Sequence, residues 1–161
     1  NRRTMLATLL PLIPTCQSIQ ILQLDNIDDM LQILVLFNSI IFDYIVRLKM
    51  AGLDLTQTII KQIPVPKKEI YESVIVFQDK EDTIRNHVYA RIKYLYAKDK
   101  RVSALFENND ICDSTKKSRK QIISELDCLV GAMYGLSTEQ IKEIASTFDK
   151  YYTKKEVEQW F

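Results

Sequence analysis

The sequence predicts a mainly α protein of the α+β class: two short N-terminal strands, a long buried helix, then a C-terminal helical hairpin with small terminal helices. Three observations predict it. Short runs rich in Thr, Leu and Ile near the N-terminus are broken by Pro11 and Pro14. An apolar stretch from Met30 to Leu48 is long enough for several helical turns, and two apolar stripes at helical spacing follow in the second half. With 161 residues, 47% of them hydrophobic, the chain can bury a core and matches one domain or a domain plus an appendage.

In chain order, Arg3 to Leu10 and Ser18 to Leu24 read as the two strands. A turn at Asp25-Asn26-Ile27-Asp28 opens the long helix, with Asp28 as N-cap and Asp29 placed against the helix dipole. Apolar residues cover most of this helix, while Ser39, Asp43 and Arg47 share one stripe. Asp43 and Arg47 are therefore expected to form an internal i,i+4 ion pair. Gly52 ends the helix, and Asp54 with Gln57 has the form of a capping box for a short helix over Leu55 to Gln62.

At Ile63-Pro64-Val65-Pro66 each proline forces its predecessor out of the α region, which places a domain boundary between residues 1–66 and 67–161. Everything beyond reads as helical. Ile84, Val88, Ile92 and Leu95 form one stripe and Ile122, Leu126, Leu129 and Met133 another; a polar turn around Asn108 to Thr115 joins them into an antiparallel hairpin. Gly135 closes the second hairpin helix. Ser137 with Gln140 caps a helix bearing Ile141, Ile144 and Phe148, and Thr153 with Glu156 caps a last one bearing Val157 and Trp160.

Composition excludes several chemistries. The three glycines, at 52, 131 and 135, are too scattered for a cofactor-binding or phosphate-cradling loop. Cys16, Cys112 and Cys128 are widely spaced and odd in number, which reads as reduced thiols in a cytoplasmic protein. One histidine, His87, leaves a metal site short of ligands and a His-dependent nucleophile without its partners; it is expected to be solvated or hydrogen-bonded. The carboxylate pairs Asp28-Asp29 and Glu81-Asp82 stand at helix starts, where the dipole favours them. No catalytic residue, metal site or cofactor is expected in this stretch of chain.

Nothing at the N-terminus has signal-peptide form, and Asn1, followed so soon by the apolar run Met5 to Leu10, reads as the interior of a longer polypeptide. A membrane span over Met30 to Leu48 is disfavoured by Gln32, Asn38, Asp43 and Arg47, since Asp and Arg each cost about 2.5 to 3.5 kcal/mol at a bilayer centre.

The net charge of +1 is silent on nucleic acid, but its distribution is uneven. Arg85, Arg91, Lys93, Lys98, Lys100 and Arg101 lie close together against one acid, Asp99, and Lys116-Lys117-Ser118-Arg119-Lys120 adds a second group. With Tyr89, Tyr94 and Tyr96 interleaved, this is either a surface that follows a phosphate backbone or, more commonly, a solvated helix face whose tyrosines pack the hairpin.

Four ordered stretches carry a family resemblance. They are Asn1-Arg2-Arg3-Thr4-Met5-Leu6-Ala7; Asn38-Ser39-Ile40-Ile41-Phe42-Asp43-Tyr44 with Arg47, Lys49 and Gly52; Lys61-Gln62-Ile63-Pro64-Val65-Pro66; and Glu125-Leu126-Asp127-Cys128-Leu129-Val130 with Tyr134-Gly135-Leu136-Ser137. Together they resemble the C-terminal target-recognition and helical region of bacterial type II and type IIG restriction-modification DNA methyltransferases. Arg2 stands where that family more often has an acidic residue, and the region after Pro66 is longer and richer in Lys and Tyr than the usual linker.

The resemblance implies an upstream methyltransferase domain that binds S-adenosylmethionine and methylates the adenine amino group, in some members joined to a nuclease. This segment would help choose the sequence in double-stranded DNA. Arg2, Arg3, Lys49, Thr56, Gln57 and Lys61 are the candidate DNA contacts, because Gln can bond adenine at two points and Lys or Arg can bond guanine or phosphate. The competing expectation is a helical interaction module that dimerises by pairing the hairpin stripes between chains.

Overall fold

The computed structural model describes residues 2–16, 19–50, 52, 55–96, 98–106 and 117–161. Its elements are α1 (Ile27–Asn38), α2 (Ile40–Lys49), α3 (Gln57–Lys61), α4 (Lys68–Tyr71), β1 (Val74–Phe77), β2 (Lys80–Thr83), α5 (Ile84–Tyr96), a 3-10 turn (Ser103–Phe106), α6 (Arg119–Met133), α7 (Thr138–Ser146) and α8 (Lys154–Trp160). The protein is mainly helical with one small antiparallel sheet, as the fold class predicts.

The strands lie elsewhere than expected. Neither Arg3 to Leu10 nor the described part of Ser18 to Leu24 joins a ladder; the sheet is the hairpin β1–β2, with Val74 opposite Thr83 and Phe77 opposite Lys80. Its two-residue turn, Gln78-Asp79, has positive φ at both positions (53° and 61°), as the tight primed turns require. Val-Ile-Val-Phe is a strong strand former, but without Gly or Asn in the turn it carries no hairpin signal in the sequence.

The expected long helix is two helices. Asn26, not Asp28, is the N-cap of α1, accepting from the Asp28 N–H at 2.7 Å, while Asp28 and Asp29 occupy the first turn. At Ser39 the chain leaves the helical region, and the two axes meet at a bend of 64°. The Ser39 hydroxyl donates to Leu36 O (2.9 Å) and accepts from Phe42 N (3.1 Å), so it ends one helix and caps the next. No single helix among the described residues is long and apolar enough to cross a membrane.

Thr56 caps α3 by accepting from Ile59 N; Asp54, the expected cap, lies outside the described residues, as does the expected turn at Asn108 to Thr115. Helices α5 and α6 run antiparallel. Arg119, at the start of α6, donates to Leu95 O near the end of α5, and Arg91 in mid-α5 meets Glu125 further along α6. Gly135 (φ +70°) closes α6, with Leu136 N donating back to Gly131 O. The two expected capping boxes within the described residues, Ser137/Gln140 and Thr153/Glu156, are formed.

Leu31, Leu36, Ile40, Phe42 and Val46 from α1–α2 pack with Val88, Ile92, Leu129, Val130, Phe148 and Tyr152 in one apolar cluster. Chain on both sides of Pro64–Pro66 thus shares a core. Most of both hairpin stripes is buried inside this one chain, where they pack as an internal hairpin.

Candidate functional site

Asp43 organises the centre of the molecule. It projects from α2 with 0% exposure, and its two carboxylate oxygens are divided between two arginines. Arg3 Nε donates to Oδ2 at 2.7 Å, and Arg47 Nε, one turn further along α2, donates to Oδ1 at 3.0 Å. Thr4 N adds a bond to Oδ2 at 2.9 Å. Burial works to raise the Asp43 pKa, but the bonds from Arg3 and Thr4 and the Arg3 charge outweigh it, holding the carboxyl below its ordinary value.

The N-terminal segment is held along its length by α1 and α2. Arg3 Nη2 donates to the carbonyl of Asn38 (2.7 Å), at the break between the helices, and to that of Ser39 (3.1 Å), which also accepts from Asp43 N. Asn38 then bonds both backbone groups of Ala7, accepting from its N–H at 3.1 Å and donating to its carbonyl at 2.8 Å. Arg47 Nη2 reaches Arg2 O at 3.1 Å. The guanidinium of Arg47 lies 4.0 Å from the ring centre of Phe148, and that of Arg3 lies 5.3 Å from Tyr151, so the last third of the chain closes over both cations.

A second buried acid fastens α6 to the same point. Asp127 Oδ1 accepts from Ile40 N, the first residue of α2, at 2.9 Å; Oδ2 accepts from the Tyr152 hydroxyl at 2.7 Å. Burial pushes the Asp127 pKa up to about 6, against the Tyr152 and Ile40 bonds that favour its ionised form. Burial first, then the charge of Asp127 and its bond, drive the Tyr152 phenol upward. Further out, the Tyr134 hydroxyl donates to Pro64 O at 2.8 Å, joining the end of α6 to the proline stretch.

With both oxygens of each acid occupied, this arrangement is a latch between distant segments. No nucleophile and base are poised together in it, and the described residues hold no group of His, Cys, Asp and Glu that could bind a metal. Asp127 and Tyr152 were missed as partners because they meet α2 across the fold. The one sequence signal was an aspartate, Asp127, set between Leu126 and the apolar pair Leu129-Val130 in the middle of the helix.

The expected DNA contacts divide. Arg3 is buried, at 9% exposure, with its guanidinium committed to Asp43 and two carbonyls. Arg2, Lys49, Thr56, Gln57 and Lys61 are exposed. Arg2 is brought beside Arg47, two residues before Lys49, and α3 carries Gln57 and Lys61 with Thr56 as its cap.

The basic hairpin is largely neutralised from within. Arg85 meets Asp28 and Glu72, Arg91 and Lys117 share Glu125, Arg101 meets Asp99, and Lys120 meets Glu156. Lys93 is buried in α5, while Lys98 and Lys100 remain exposed. Tyr94 donates to Lys117 O and Tyr89 packs on Phe106, so these tyrosines serve the hairpin. His87 is buried rather than solvated, edge-on to Phe77 at 5.8 Å. Burial, helped by the Arg91 charge, holds its pKa below the usual imidazole value, so it stays neutral.

No protein-family model, curated protein or solved structure matches this chain.

Proposed function

We propose that this chain is the structural end of the target-recognition region of a restriction-modification adenine-specific DNA methyltransferase. It holds a recognition surface in place, and methyl transfer from S-adenosylmethionine is the work of an upstream domain. One observation carries the reading: the four stretches that bear the family resemblance are bonded to one another in space. Arg3 and Thr4 join Asn38, Ser39 and Asp43; Ile40 joins Asp127; Tyr134 joins Pro64.

Each of these residues is a partner of another, as befits a scaffold that positions other groups. The DNA side of the role falls to the exposed set Arg2, Lys49, Gln57 and Lys61, since the hairpin spends most of its charge on internal pairs. With so few contacts, duplex binding by the chain alone is weak, strongly salt-dependent and nearly indifferent to sequence.

Fluorescence anisotropy with two unrelated duplexes across a salt series tests this. Equal, weak affinities that fall with salt, and a smaller salt slope after Arg2, Lys49 and Lys61 are all changed to Ala, are expected. Tight, salt-insensitive and sequence-selective binding, or binding untouched by the triple change, would contradict it.

A further inference from the structure

Beyond the bend at Thr4, residues 5–10 alternate in burial as an extended strand does, with Met5 and Leu9 buried and Leu6, Thr8 and Leu10 exposed. Leu6 is 75% and Leu10 44% exposed. In an extended chain the N–H and C=O of one residue point to one edge, and those of the next residue to the other. Both backbone groups of Ala7 are bonded to Asn38, so the edge shared by residues 5, 7 and 9 faces α1. The opposite edge belongs to Leu6, Thr8 and Leu10. Among the described residues, no hydrogen bond uses the backbone groups of these three.

An open edge of this kind is ordinarily guarded by a charge, a proline or a covering element. From Thr4 to Leu24 the sequence has no charged residue, and Pro11, an odd position, falls on the other edge. Nor does the nearby apolar segment close it. Ile19, Ile21 and Leu22 are at least half exposed and lie across an open hollow of about 640 Å³ lined by Met5, Leu9, Met30 and Phe37. A small apolar ligand in the hollow would leave the backbone edge without partners, whereas a second strand supplies them.

The geometry points to an antiparallel pairing of residues 6–10 with the same residues of a second copy of this chain, about a two-fold axis at Thr8. The segment Leu6-Ala7-Thr8-Leu9-Leu10 is complementary to itself in that register. Leu6 stands opposite Leu10 of the other copy at both ends, Thr8 opposite Thr8, and all three belong to the open edge. With no charge in the segment, nothing repels the second copy. The pairing is independent of the DNA reading and can fail or hold without it.

Sedimentation equilibrium of the whole chain over a wide concentration range tests the pairing. A monomer–dimer equilibrium is expected. Leu6→Pro, which removes a donor on the open edge, and Leu6→Lys with Leu10→Lys, which places like charges across the axis, each weaken the dimer by about tenfold or more. Both variants change exposed side chains, and unchanged helical circular dichroism verifies the fold; should Leu6→Pro unfold, the lysine pair still decides. A chain that stays monomeric at every concentration, or a dimer that both variants leave intact, overturns the pairing.

Discussion

Changing Asp43 to Asn removes the one anion that stands between two guanidiniums while keeping the shape of the side chain. The Asp43 side chain is fully buried, that of Arg3 is 5% exposed and that of Arg47 33%. Removing one partner of a buried pair costs about 3–5 kcal/mol, because the other charge is left in a poor dielectric. Arg3 keeps the carbonyls of Asn38 and Ser39, and Arg47 can turn toward solvent, so the lower end applies, about 3 kcal/mol. For a chain of this size each 1 kcal/mol moves Tm by roughly 2–4 °C, so Tm falls by roughly 6–12 °C.

Urea and thermal unfolding followed by circular dichroism measure that loss, and a cycle with Arg3→Met isolates the pair, whose coupling should be about 1–3 kcal/mol. The acid side gives a second readout. Because the folded Asp43 pKa is depressed, its contribution is present above the ordinary carboxylate value and is lost as pH falls through the folded one. Asp43→Asn should therefore lose less stability in acid than the parent. A cost under about 1 kcal/mol, or strict additivity with Arg3→Met, would refute the latch.

Asp127 gives the opposite pH sign. Its folded pKa of about 6 lies above the unfolded value of about 3.9, so stability declines as pH rises through that window, by at most about 3 kcal/mol. Asp127→Asn should flatten denaturation midpoints between pH 4 and 6, and an unchanged slope would count against the assignment. At Gly131 an added Cβ would run into Cδ1 and Cγ1 of Ile141, where α6 packs on α7. Gly131→Ala should destabilise by about 1–3 kcal/mol and be partly rescued by Ile141→Val; full stability of the single variant would disprove the close approach. In the β1–β2 turn Asp79 holds φ at 61°, so Asp79→Gly should be neutral or stabilising by up to about 1 kcal/mol, and a clear loss would argue against that turn geometry.

What the sequence made legible follows from how local each signal is. The boxes at Ser137/Gln140 and Thr153/Glu156, the closing Gly135 and the hairpin stripes each rest on residues within about three turns of one another, and each is present in the structure. The break at Ser39 was hidden because apolar residues continue on both sides of it, and only the double use of its hydroxyl separates the helices. The sheet was displaced for a related reason. Arg3 to Leu10 has strand composition and strand-like burial but no ladder, whereas Val74–Phe77 has a partner across a turn that lacks the usual residues.

Within the candidate site, the Asp43–Arg47 pair could be read from i,i+4 spacing. Arg3 on Asp43 and Tyr152 on Asp127 span 40 and 25 positions, distances over which spacing carries no information. For the same reason Arg3 reads as a free cation in the sequence and is a buried one in the fold. The basic hairpin shows the reverse error, since its acids Glu125, Glu156 and Glu72 lie outside the stretch where the positive charge was counted.

Site-specific photo-crosslinking shows which surface of the protein meets a duplex. Whole-chain protein carrying a photoreactive side chain at Gln57 or Lys61, and in parallel at Lys98 or Lys100, would be irradiated with a duplex at low salt. Crosslinks from α3 and few from the hairpin end are expected if Gln57 and Lys61 form the recognition surface as proposed, since the hairpin charges are mostly paired internally. Crosslinks confined to Lys98 and Lys100, or none from either position, would contradict that proposal.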